Sequence, residues 1–500
     1  MNKMRQEVHP LLLVSLFCWS TEAIASEDIQ EILPVSGARF SLGDSEDVSP
    51  ESGWLGWSNV ELSNLLSSGL VANSDILTAM TQIEQASAVA SQVAANVLPT
   101  VALQGSMNVS PTSSSGFGNP TVTVLESLSE LLESSGEWGS EASSSSLTSD
   151  LSDNMYAGST VMTVSVPVDI WGANINRWQA ARWDSRVSRS VLETVKITVS
   201  GLIASVWIDA VYCKAQLRVL AEQIELAQRI LTLTHLRYEN GEASALDVVQ
   251  QQQQLAATQA LVPPLRGALR ASEQQLAVLT GEGHLQTFPI ATQALPELPD
   301  LPAVGTPLEL MDRAPEVLVA LGQYYGADHR RKAASKGLAP TIGISGQYGW
   351  QHVNMDGEQW QSEPTWGGGL TLTMPIFHGG GNLGAIRAAH AAVDGARNEL
   401  IDAVQTAIYD VEVVLIKEQE GAASHALISQ QVAAARMGFE LAEREYRQGV
   451  VGHLTLLLAQ QGLTQAELSL LTSSRDRLYT RVQLYQALSL PLPAGEVRGE

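Results

Sequence analysis

The sequence predicts a mixed α and β fold in which pairs of strands alternate with very long helical hairpins. Three observations predict it. One pattern of residues occurs twice at a fixed offset. Each copy carries two runs of period-two alternation. The first of those copies then continues through more than sixty residues with no Pro, one Gly and an apolar stripe at helical spacing.

The repeat comes first. Val166-Pro167-Val168 with Gly172 and Asn174 matches Met374-Pro375-Ile376 with Gly380 and Asn382, an offset of 208. Tyr238 and Gly241 match Tyr446 and Gly449 in the same register, as do Leu246 with Leu454 and Gln252-Gln253 with Gln460-Gln461. Leu98-Pro99-Thr100 matches Ala339-Pro340-Thr341 at 241, so the first copy carries an insertion between Pro99 and Pro167. These matches divide the chain into residues 58–282, a proline-rich linker at 283–307, and residues 308–490. Residues 26–57 and 491–500 lie outside the repeat.

The N-terminus has the pattern of a secretory signal over residues 1–25. Lys3 and Arg5 precede an apolar run from Leu11 to Phe17, and Ala23-Ile24-Ala25 offers the cleavage site. Phe17 before Cys18 is a poor fit to a lipidation signal. The mature chain would keep Cys213, whose place on the apolar stripe reads as a core thiol. No later stretch has 18 consecutive apolar residues. That leaves open a periplasmic, a secreted or an outer-membrane barrel protein, because barrel strands escape hydropathy scans.

Each copy opens on a helix-forming run, Val60 to Val97 and Pro307 to Lys336, with Asn73 and Asp75 available to cap a restart in the first. Alternation follows. Val101, Leu103, Gly105, Met107 and Val109 point one way. After a Ser-, Gly- and Glu-rich loop at 110–156, Thr160, Met162, Val164 and Val166 alternate again. The second hairpin, 341–375, repeats this with Ile342, Ile344, Gly346, Tyr348 and Trp350, then Trp366, Gly368, Leu370, Leu372 and Met374. Runs of about ten residues suit tilted strands crossing a bilayer. Tyr348, Trp350 and Trp366 sit toward the loop, where interfacial aromatics gather. The same alternation also suits a soluble hairpin with one buried face.

From Ala173 to Arg237 the stripe Val187, Val191, Val195, Val199, Leu202, Val206 continues to Leu231. Its spacing is close to 3.6, which makes a nearly straight amphipathic rod of about 100 Å. Gly241 suits a left-handed helix cap, and Ser244 with Asp247 suits the start of a returning helix. A hairpin tip therefore falls near 238–247, and a second near 446–455, where Gly449 and Gly452 stand. Pro263-Pro264 should kink the first returning helix.

Two strands per copy give four per chain. Four strands cannot close a membrane barrel, and an open sheet edge cannot face lipid. If the strands lie in a membrane, chains must pool them. A dimer would supply eight and a trimer twelve.

The order of these features resembles the TolC family of outer-membrane efflux proteins, in particular the branch that serves resistance-nodulation-division pumps. The resemblance covers residues ~55–490. Its carriers are Asp169-Ile170-Trp171-Gly172 after Pro167, Met374-Pro375-Ile376-Phe377 before Gly380, Tyr238-x-x-Gly241 with Leu246-Asp247-Val248-Val249, Tyr446-x-x-Gly449 with Leu454, and Leu276 to Gly281. It implies a homotrimer whose twelve strands form an outer-membrane barrel, continuous with a periplasmic α-helical barrel of antiparallel hairpins. Pro167, Gly172, Pro375 and Gly380 would mark the strand-to-helix junctions. It further implies that the tips, at Tyr238, Gly241, Ser244, Tyr446, Gly449 and Gly452, meet a periplasmic adaptor coupled to an inner-membrane pump, and that the tunnel narrows beside them. Relatives place acidic residues six and nine positions after the second tip glycine. Here those positions are Thr455 and Leu458, while Asp247 stands six after Gly241, so Asp247 is the candidate constriction residue. Arg313-Ala314-Pro315-Glu316 departs from the Arg-Pro-Asp run of that branch.

The function expected is passive conduction through the outer membrane. The alternatives are the exit of a type I protein secretion system and a non-channel structural coiled-coil protein of the periplasm. The net charge of −24 excludes a nucleic-acid surface. It fits either a solvated exterior or an acidic lumen. No enzyme, metal or cofactor signature is present in the sequence.

Overall fold

The computed structural model describes Phe40, Trp57 and residues 59–112, 153–283, 289–354 and 360–490. The signal at 1–25, the 26–57 extension apart from Phe40 and Trp57, most of the 110–156 loop and the 491–500 tail lie outside them. The order is α1 (Val60–Ala72), α2 (Ser74–Ala95), β1 (Thr100–Thr112), β2 (Asp153–Val168), α3 (Ala173–Glu239), α4 (Ala245–Ala260), α5 (Val262–Leu279), α6 (Pro307–Arg313), α7 (Pro315–Ser335), β3 (Thr341–Asn354), β4 (Gln361–Thr373), α8 (Gly381–Arg447) and α9 (His453–Ala487). Two compact units result. One holds residues 1–89, 180–328 and 389–500; the other holds 90–179 and 329–388.

The second unit is built on the sheet. Its order is β1-β2-β3-β4, antiparallel throughout, so the two copies' hairpins join through β2 and β3. The strands run 13, 16, 14 and 13 residues, longer than the ten expected. The alternation that marks them in the sequence fades beyond the apolar stretch, while backbone pairing continues into polar residues. Residues 110–112 and 153–156, expected in the loop, belong to these strands.

The register sorts the side chains. Val101, Val164, Gly346 and Gly368 form one row across the sheet, and Leu103, Met162, Tyr348 and Trp366 the next. Val166, Ile344 and Leu370 continue it toward the helices. This face is apolar and exposed. The opposite face carries Thr163, Gln347 and Gly367, then Ser159, Gln351 and Glu363. Apart from Val161 and Val353, every strand therefore contributes apolar residues to one side and small or polar residues to the other.

The first unit is helical. Its main core gathers Leu62, Leu65, Ile203, Trp207, Leu276, Val317, Leu400 and Tyr485 from α1, α3, α5, α7, α8 and α9. Asn73 breaks the first helical run: its side-chain oxygen caps α2 through Asp75 N–H and Ile76 N–H, and its Nδ2 donates to Leu279 O. Pro315 divides the second copy's run at Ala314. Pro263 and Pro264 lie in the first turn of α5, where missing amides cost nothing, so the break falls just before them, at Leu261.

The linker is pinned at two points. Glu61 accepts from Ala291 N–H (2.5 Å), from Thr292 N–H (3.1 Å) and Oγ1 (2.5 Å), and from Trp207 Nε1 (3.3 Å). Burial acts to raise that carboxyl's pKa, but the donors together hold it below the usual range. Farther on, buried Arg481 donates to Pro299 O and Asp300 O and pairs with Glu418 at 2.8 Å.

α3 and α8 are each 67 residues long. α3 holds a window long and apolar enough to cross a membrane, and half of that window is buried, as in a core helix. The absence of a consecutive apolar run in the sequence had hidden it. Cys213 is buried, and burial pushes its thiol pKa up, so the thiolate is disfavoured.

Candidate functional site: hairpin tips and sheet faces

The first tip follows from its sequence. α3 ends at Glu239, Gly241 takes φ +75°, Glu242 N–H donates to Arg237 O (2.8 Å) and Gly241 N–H to Tyr238 O (3.0 Å). This double hydrogen bond satisfies the last carbonyls and requires a residue at ease in the left-handed region. Ser244 then caps α4: its Oγ accepts from Asp247 N–H (3.2 Å) while Asp247 Oδ2 accepts from Ser244 N–H (2.9 Å). Asp247 is thus fastened to the helix start.

At the second tip Gly449 takes φ +75°, and Val450 N–H and Gly449 N–H repeat the same pair of bonds to Glu445 O and Tyr446 O. The restart differs. Gly452 is the N-cap of α9 and has no side chain to offer. His453 is buried and its ring meets Tyr446 edge-on at 5.9 Å. Neither ring nitrogen has a hydrogen-bond partner. Burial lowers its pKa, with Asp247 opposing more weakly, so the neutral ring is favoured.

Arg237 locks the tips together. Its guanidinium lies 4.6 Å over the Tyr446 ring, donates to Tyr446 O and sits 3.5 Å from Glu242. Thr234 Oγ1 lies 3.4 Å from the Tyr446 hydroxyl. A small separate core of Leu226, Ile230, Phe439, Leu456 and Leu463 backs them. Glutamines tie the returning helices: Gln251 to Gln460 and Gln461 to Gln254. Neither Arg237 nor His453 is legible from helical periodicity, because each matters only once the two copies meet.

The structure brings Asp247 near His453, while Thr455 and Leu458 are exposed on α9. Leu246, Val249, Val450, Leu454 and Leu458 form exposed apolar positions around the two tips.

At the junctions, Pro167 lies inside β2 opposite Gly343, and Pro375 lies just past β4. Gly172 (φ +72°) and Gly380 (φ +84°) turn the chain into α3 and α8. Asp169 caps α3: Oδ1 accepts from Ala173 N–H (2.7 Å) and Oδ2 from Ile175 N–H (2.9 Å). Trp171 Nε1 donates to Pro340 O at 2.8 Å, tying the first junction to the second hairpin.

Tyr348, Trp350 and Trp366 are mid-strand, because β3 and β4 run on past the apolar stretch into polar residues. They do mark the loop-side limit of the apolar face, since the next row holds Gly158, His352 and Ser362. From Ile342 to Trp350 the apolar rows run about 26 Å along the strand, near the ~25 Å apolar band of outer-membrane barrels. Trp171 and Phe377, both exposed, stand beyond the helix-side limit.

The family described as "Outer membrane efflux protein" matches residues 65–282 and 307–489. The chain is 28% identical over 464 residues to the pyoverdine export outer membrane protein OpmQ of Pseudomonas putida, covering 91% of this chain and 92% of that protein. It is 22% identical to nodulation protein T of Rhizobium leguminosarum over 92% of this chain and 91% of the other. Among solved structures, the outer-membrane channel OprN superposes with a TM-score of 0.77 at 19% identity, covering 91% of this chain and 97% of that one, and the outer membrane protein VceC of Vibrio cholerae with a TM-score of 0.76 at 18% identity, covering 89% of this chain and all of that one.

Proposed function

The chain belongs to the outer membrane efflux protein family, and from that premise we propose that three copies assemble into the exit duct of a tripartite export system. The observation that carries the reading is the sheet: one face apolar and exposed, the other polar, and both edge strands, β1 and β4, open. Neither edge can face lipid unpaired, and an exposed apolar patch of this extent needs a cover. Pairing β4 of one copy with β1 of the next removes every edge and turns the apolar faces to lipid. The polar faces then line a wet path whose Ser, Thr and Gln side chains, interspersed with Gly, suit hydrophilic cargo.

The exposed apolar residues along α8, among them Tyr409, Ile416, Leu427, Met437 and Leu441, serve as contacts between neighbouring copies. The tips dock a periplasmic adaptor through Leu246, Val450 and Leu454 around Tyr238, Gly241, Ser244, Tyr446, Gly449 and Gly452. The energy comes from an inner-membrane pump of the resistance-nodulation-division class, and the chain itself catalyses nothing. Asp247 forms the narrowest ring, with Thr455 and Leu458 beside it.

The assembly test is fractionation: the duct runs as a heat-modifiable trimer in outer-membrane fractions, whereas a monomer free in the periplasm would end the proposal. The ring is tested in planar bilayers. Asp247→Ala should raise single-channel conductance and weaken cation preference; an unchanged record would remove Asp247 from the constriction.

A further inference from the structure

Charge is distributed unevenly about the sheet. No Lys or Arg occurs from residue 101 to 172 or from 337 to 386, so the strands and both hairpin loops hold no basic residue. Their charged residues are acidic, Glu126, Glu130 and Glu363 among them. Basic residues begin at once on the helix side of the same unit, at Arg177, Arg330, Arg331, Lys332, Lys336 and Arg387. In a chain of net charge −24 these six cations are bordered by two carboxylates, Asp169, whose oxygens are engaged by backbone amides of α3, and Asp328 on α7, so the flank is net positive.

The flank is built as a layer. The end of α7 packs against the start of α3: His329 Nδ1 lies 3.1 Å from Asn176 Oδ1, and the Lys336 ammonium reaches toward Gly172. Arg177, Arg330, Lys332 and Arg387 are exposed. Between them and the apolar rows stands Trp171, half-exposed with its indole N–H satisfied. Apolar band, indole, then cations is the order a bilayer presents as hydrocarbon, interface and phosphate. The loop side has the aromatics but no cations.

We propose that this basic flank is a binding collar for anionic phospholipid headgroups of the leaflet on the helix side of the sheet. The inference rests on the membrane placement of the sheet given above. The occupant follows from charge complementarity: a phosphate-bearing, net-negative headgroup is the anion found at that depth, and several cations beside one surface favour it over a zwitterion. The collar fixes the depth of the barrel and sets which leaflet lipids surround it.

The test uses the full mature chain reconstituted in nanodiscs of phosphatidylcholine with one fifth phosphatidylglycerol. Lipids retained after transfer to detergent are counted by native mass spectrometry. Wild type should retain phosphatidylglycerol over phosphatidylcholine on the order of fivefold beyond the input ratio, and salt should reduce this. The variant Arg177→Gln/Arg330→Gln/Lys332→Gln/Arg387→Gln should insert and form trimers as wild type does but retain the two lipids near the input ratio. Equal enrichment in both proteins would overturn the collar, as would loss of anion conductance in the variant with lipid retention unchanged, because the cations would then face the conduit. Failure of wild type to insert into any nanodisc would instead strike the membrane reading. Should the fourfold variant fail to fold, the salt dependence of wild-type retention and the single change Lys332→Gln carry the test: no salt effect and no change overturn the collar.

Discussion

The two hairpin tips have the same backbone and different supports. Both end a 67-residue helix with a left-handed Gly and the same pair of amide bonds. Tyr238 of the first tip is 45% exposed, while Tyr446, its equivalent 208 residues on, is 3% exposed. The first tip restarts on the reciprocal Ser244–Asp247 bonds; the second restarts on Gly452 and a buried His453. The first tip is thus stabilised locally, the second by what packs on it. Duplication preserved the turn, and the side chains then took opposite parts, one copy supplying Arg237 and the other receiving it at Tyr446.

The largest expected effect breaks that asymmetry directly. Tyr446→Ala removes a buried aromatic and should cost about 3–5 kcal/mol of local stability, whereas Tyr238→Ala should stay within about 0.5 kcal/mol. Amide exchange of the tip segments compares them, and equal effects would refute the division of roles. Next are the shared glycines. Gly241→Val and Gly449→Val should each cost at least about 1–2 kcal/mol, since a β-branched residue at positive φ is strained wherever it stands. A tolerant tip would show that its turn is not held closed. Ser244→Ala should cost about 1 kcal/mol at the first tip only. The reverse change, Gly452→Ser, should add a few tenths of a kcal/mol at the second by supplying the missing cap oxygen.

His453 gives the comparison a pH axis. Its pKa is lowered in the packed tip, so the unpacked tip takes up protons more readily. The stability it contributes is present above the ordinary value of about 6.5 and is lost as pH falls below it. Protection factors of the second-tip amides, taken relative to the intrinsic exchange rate at each pH, should fall between pH 7.5 and 5.5, His453→Gln should remove that dependence, and the first tip, with Ala245 at the equivalent place, should show neither. The groups facing the ring are Tyr446, Asp247 and, across Tyr446, Arg237.

Much of this was legible in the sequence because it is local or periodic. The tip glycines, the Ser244–Asp247 spacing and the stripe on α3 each follow from a short window. The alternation of Ile342 to Trp350 placed the apolar face on the correct residues, and the register of all four strands agrees with it. What could not be read depends on distant segments meeting. Glu61 is an ordinary first-turn carboxylate until Ala291 and Thr292 reach it. Arg481 looks like a surface charge until the linker carbonyls and Glu418 enclose it. Strand length was underestimated for a related reason, since pairing with a neighbour extends a strand past the point where its own side chains advertise it.

The two open edges of the sheet have a genetic consequence. In the proposed trimer every wall is shared, so a copy that assembles but blocks the path spoils the whole particle. At equal expression of blocked and wild-type chains, only about one in eight ring-closed assemblies would be free of the blocked form. A plugging allele of this protein should therefore be dominant over the intact gene, while an allele that cannot pair its edge strands should be recessive.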